Sequence, residues 1–95
     1  MRRASEWDAG CMPSYVVESY ASDAVVDEAR ARARLAADLG AGVRYVRTTF
    51  LPGDETIFHL FEAPSADALR RAGQLAAMQY ERIVEAVEGS PELNQ

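Results

Sequence analysis

The chain contains one histidine, His59, inside an apolar run, Glu55-Thr56-Ile57-Phe58-His59-Leu60-Phe61-Glu62-Ala63. An imidazole can ligate a borderline divalent metal, move a proton near neutral pH, or make structural hydrogen bonds. Glu18 and Glu85 occupy the middles of two other β-branched runs, Ser14 to Tyr20 and Glu81 to Glu88. Two carboxylates and one imidazole suit nickel, zinc or another divalent transition metal. The same trio could be an acid/base set in which the carboxylates raise the imidazole pKa. It could equally be a structural hydrogen-bonded cluster. Tyr20, Tyr45 and Arg47 make a second candidate group, able to hold an anionic or aromatic ligand at a cavity mouth or to anchor an interface.

The elements that would position these residues follow from periodicity. Ser14-Tyr15-Val16-Val17-Glu18-Ser19-Tyr20 is β-branched and aromatic and predicts a strand. Ser22 then offers an N-cap to a helix whose Val25, Val26, Ala29, Ala33, Ala36, Ala37 and Leu39 recur at helical spacing, and Gly40 and Gly42 end it. Val43 to Leu51 predicts a second strand. Pro52-Gly53-Asp54 turns it into a third, Glu55 to Ala63. Ser65 caps a second helix with a stripe of Leu69, Ala72, Gly73 and Ala76, closed by Met78, Gln79 and Tyr80, and Glu81 to Glu88 alternates as a fourth strand.

The order βαββαβ is the ferredoxin-like α+β arrangement: a four-stranded antiparallel sheet in spatial order 4-1-3-2 with both helices on one face. Alternation then divides the side chains between two faces. Tyr15, Val17, Val46, Phe50, Phe58, Leu60, Val84 and Ala86 are expected under the helices. The open face would take Val16, Glu18, Tyr20, Tyr45, Arg47, Ile57, His59, Phe61, Ile83, Glu85 and Val87. In that order strands 4, 1 and 3 are neighbours, so Glu18 would sit between Glu85 and His59. An open face this apolar predicts a covering partner, simplest as a second copy packed face to face in a dimeric α/β-barrel.

Size and charge narrow the remaining possibilities. Ninety-five residues make one domain. Such a chain buries only roughly 60–65% of its unfolded surface, which makes an uncovered sheet face costly. A net charge of −5 opposes binding to nucleic-acid phosphates or anionic lipid. No apolar run is long enough to span a membrane, and the first residues lack the apolar core of a secretory signal. One cysteine, Cys11, forms no internal disulfide and fits a reducing cytoplasm. Residues 1–11 are expected to be a flexible extension or to follow an upstream start codon, residues 12–88 the domain, and residues 89–95 a tail. A Gly-rich phosphate loop, GxSxG, CxxC and HExxH are all missing from the sequence.

Four segments together carry a family resemblance: Met12-Pro-Ser-Tyr-Val-Val-Glu18, Gly42-Val-Arg-Tyr-Val-Arg47, Thr56-Ile-Phe-His-Leu-Phe-Glu-Ala-Pro-Ser65 and Arg82-Ile-Val-Glu-Ala-Val87. Over about residues 12–88 the chain resembles a family of small bacterial proteins of largely unknown function, some described as nickel-responsive or nickel-binding. The resemblance implies a ferredoxin-like fold, a dimer, a start at Met12-Pro13, and glutamates at the places of Glu18 and Glu85. A small or thiol residue is expected where this chain has His59.

The combined expectation is a cytoplasmic homodimer binding a divalent metal such as nickel, or a small ligand, on its open sheet face. Glu18, His59 and Glu85 would hold the metal, and Tyr20, Tyr45 and Arg47 would contact the ligand. A cofactor-independent dimeric α/β-barrel enzyme of monooxygenase or isomerase type is the first alternative, and a purely structural interaction module the second.

Overall fold

A computed structural model describes residues 12–87, and the expected extension (1–11) and tail (89–95) lie outside them. The chain runs through β1 (Ser14–Tyr20), a 3-10 turn (Asp23–Val25), α1 (Val26–Leu39), β2 (Arg44–Leu51), β3 (Thr56–Glu62), α2 (Ala66–Leu75) and β4 (Arg82–Ala86). The strands form one antiparallel sheet in the order β2-β3-β1-β4. This is the ferredoxin-like layout expected from the sequence. No helix among the described residues is long and apolar enough to cross a membrane.

Local chemistry explains most element ends. Ser65 Oγ accepts from the Ala68 amide at 3.1 Å and caps α2 as expected. Ser22 makes no such bond. Its carbonyl accepts from the Val25 amide at 3.1 Å instead, so a 3-10 turn precedes α1. In the β2–β3 turn the positive φ of 49° falls on Glu55 rather than Gly53.

The second helix ends earlier than its apolar pattern suggests. Met78 N donates to Gly73 O at 2.8 Å and Ala77 N to Gln74 O at 3.1 Å, with Ala77 at φ 55°. These bonds and the left-handed residue form a Schellman cap, here built on alanine instead of the usual glycine. Met78, Gln79 and Tyr80 therefore leave the helix and cross over to β4.

The core lies between the helices and one sheet face. Ala33 and Ala36 of α1 and Leu69, Ala72 and Gly73 of α2 pack on Tyr15, Val17, Phe61 and Ala63. Small residues let the helices approach closely. A Cβ built on Gly40 would lie 2.5 Å from Ala72 Cβ.

The register corrects the expected division of faces. Val17 pairs with His59 and with Ile83, and Tyr15 with Phe61 and with Glu85. Partners directly opposite share a face, so Ile57, His59, Phe61, Ile83 and Glu85 belong to the helix side with Tyr15 and Val17. Phe58, Leu60, Val84 and Ala86 move to the open side with Val16 and Glu18. The cause is a single-residue register difference, which inverts every side chain of a strand. The second correction is local. A bulge between Tyr45 and Arg47 puts Tyr45 opposite Phe61 on the helix side and leaves Arg47 opposite Leu60 on the open side.

Candidate functional site

His59 is 1% exposed and belongs to a row across the sheet, Thr48–His59–Val17–Ile83, that faces the helices. Its Nδ1 lies 2.8 Å from Thr48 Oγ1, and Thr48 Oγ1 lies 2.6 Å from Tyr45 OH. The Phe61 ring stands edge-on to both Tyr45 and His59. Burial pushes the imidazole pKa down to about 4, because the charged ring would lose its hydration without gaining a carboxylate. His59 is therefore neutral at pH 7.

The ring lines a half-open cavity of about 290 Å³ beyond the β1 end of the sheet. Ser19 and Tyr20 from β1 contribute to the floor with His59, Val25, Glu28, Ala29 and Arg32 come from the α1 side, and Ala77 to Glu81 make the opposite wall. The Schellman cap of α2 builds that wall by turning the chain sharply at Ala77. Two further bonds hold it. Arg32 Nη1 donates to Ala76 O at 3.2 Å, a cation at a helix C-terminus, and Glu81 N donates to Glu18 O at 2.7 Å. Arg32 also contacts Glu28 at 3.4 Å.

The six residues singled out from the sequence do not assemble into one site. Glu18 lies on the open face, where its carboxylate accepts from Tyr20 OH at 2.6 Å and Arg82 Nε at 2.7 Å. Those bonds hold its pKa below the ordinary carboxylate value, Tyr20 contributing most. Glu85 is exposed on edge strand β4, opposite Tyr15. Glu18, His59 and Glu85 are thus divided between the two sides of the sheet. Among the described residues no group of three or more His, Cys, Asp or Glu side chains could hold a metal ion. The donor set does not fit a divalent transition metal.

Of the second group, Tyr20 reaches the cavity and is 60% exposed. Tyr45 lies under Arg34, whose guanidinium carbon is 5.8 Å from the ring centroid, and its hydroxyl is linked to His59 through Thr48. Arg47 is exposed on the opposite side.

Sequence reading missed Thr48, Arg32 and the wall after Ala77. Thr48 was accessible to it. With Leu51 and Thr56 closing the hairpin, counting back three residues on each strand pairs Thr48 with His59. For Arg32 the sequence shows only its i,i+4 partner Glu28, while the Ala76 carbonyl that it also bonds lies 44 positions away.

No protein-family model matches the chain, and no curated protein matches it. Among solved structures, the SCO4226 protein of Streptomyces coelicolor A3(2) superposes with a TM-score of 0.63 at 20% identity, covering 81% of this chain and 99% of that one. The likeness extends over nearly all of that protein and concerns the fold.

Proposed function

We propose that this chain is a small-ligand-binding protein that works as a cytoplasmic homodimer, with its ligand in the cavity floored by His59. One observation carries the reading. A polar, titratable side chain is almost fully buried, is anchored by a hydroxyl on one nitrogen, and borders a cavity large enough for a small organic molecule. A hydrophobe at that position would pack the floor without the need for hydrogen-bond partners.

The open sheet face supports the dimer. Val16, Phe58, Leu60, Val84 and Ala86 remain there without cover, Val84 43% exposed. Covering that face with a second copy removes a contiguous apolar surface from water. The Glu18–Arg82 pair and the Arg44–Glu62 pair lie on the same side and would stand in or around such an interface.

The alternatives have less behind them. Kinship with the nickel-responsive family rests on the segments quoted above, and the separation of Glu18 from His59 leaves it no ligand set within one chain. A proton-transferring enzyme needs a base poised near its working pH, and an imidazole at about 4 is a weak one.

The test is a nuclear magnetic resonance screen of small uncharged organic molecules against the labelled chain. Binders are expected to shift Ser19, His59 and Gln79 signals together, and to lose that effect when Ala29→Trp fills the cavity from α1. A screen in which no molecule moves these three signals removes the ligand reading.

A further inference from the structure

The direction of the hydrogen bonds beneath His59 determines what the cavity can recognise. Tyr45 OH, Thr48 Oγ1 and His59 Nδ1 form a chain with links of 2.6 and 2.8 Å. A phenol is a stronger donor than an aliphatic hydroxyl, which favours the direction in which Tyr45 donates to Thr48 and Thr48 donates its own proton to Nδ1. A neutral ring that accepts at Nδ1 carries its hydrogen on Nε2. Nε2 has no partner among the described residues, while the ring lines the cavity and is 1% exposed. An unpaired buried N–H is costly, and an acceptor arriving in the cavity relieves that cost.

The charges around the cavity select among acceptors. Glu28 and Glu81 both line the cavity. The one guanidinium, Arg32, is already engaged by Ala76 O and Glu28. The neutral imidazole adds no positive charge. With Arg32 and Glu28 paired, an anion would therefore meet the Glu81 carboxylate and no free cation.

We propose that His59 presents an Nε2–H donor to the cavity, and that the ligand is a small uncharged molecule whose carbonyl oxygen accepts from it. This rests on the cavity being a ligand site and specifies the chemistry of that site.

Because His59 is the sole histidine, its ring nitrogens can be assigned without ambiguity in the uniformly 15N-labelled full chain. At pH 7 the ring is expected as the Nε2–H tautomer. An Nδ1–H tautomer, or an imidazolium, overturns the proposal. The chain is then titrated with acetophenone and with α-methylstyrene, which replaces the carbonyl oxygen by a methylene. Acetophenone is expected to bind about tenfold more tightly, the order of one hydrogen bond made to an otherwise unpaired donor, and to move the Nε2 signal. In His59→Phe, which keeps an aromatic ring but has no ring N–H, that preference should shrink to about twofold or less, and a preference kept in that variant overturns the donor role.

Equal binding of both probes, with Ser19 and Gln79 shifted, overturns the donor role and leaves the cavity a ligand site. Benzoate binding more tightly than acetophenone overturns the preference for an uncharged ligand. No shift at any cavity residue with any of the three probes overturns both the donor role and the ligand reading.

Discussion

Acidification from pH 7 to pH 5 should destabilise this chain by about 2 kcal/mol through His59 alone. The folded ring titrates at about 4 and the unfolded one at 6.5. Between those values the unfolded chain binds a proton that the folded chain refuses, so stability rises with pH. The shift corresponds to about 3 kcal/mol in full. All of it is present above pH 6.5, most is gone by pH 5, and the rest is lost as pH falls through 4. The cause is burial of the ring among Val17, Phe61 and the Thr48 hydroxyl, with no carboxylate paired to it. Urea unfolding at pH 7 and pH 5 measures the loss, with His59→Gln as the comparison. Glutamine can still bond Thr48 but does not titrate, and the low pKa of Glu18 acts alike in both chains. The native chain should lose about 2 kcal/mol more than the variant. Equal losses, or a ring that titrates at or above its ordinary value, would refute the reasoning.

Three further outcomes follow from separate contacts. Gly40→Ala should cost about 1–3 kcal/mol in denaturant unfolding, because its Cβ meets Ala72 Cβ on the facing helix and neither can swing aside. Ala77→Gly should stabilise by about 0.5 kcal/mol, since glycine removes the left-handed strain at φ 55° and returns part of that gain as unfolded-state entropy. Light scattering at micromolar concentration should give twice the 10.4 kDa chain mass, and Val84→Glu on the open face should halve it; a native monomer would discard the dimer.

Much of the architecture was legible because it is local. Strand and helix periods, the Ser65 cap and the Pro52-Gly53-Asp54 reversal each depend on residues close in sequence, and together they specify βαββαβ. The β2–β3 register is also local, since the turn sets it, and it brings Thr48 to His59. What alternation cannot tell is how β3 meets β1. Tyr15 and Val17 were readable as core, but β1 and β3 are separated by a helix and a strand, and either parity of pairing gives two apolar faces. Both candidate rows, Ile57-His59-Phe61 and Phe58-Leu60, are hydrophobic enough to be core.

The sequence by itself thus determined the elements, their order, and the presence of one chemically distinctive residue in an apolar strand. Tertiary structure decided which side that residue faces. Packing put the row holding fully buried Phe61 and Ile57 under the helices, and His59, on the same parity, went with them. The bulge after Tyr45 separated it from Arg47, and the left-handed turn at Ala77 made a wall from residues that continue the helical pattern. These are long-range or strained features, set by how the layers close on one another, and so the cavity over His59 exists only in the folded chain.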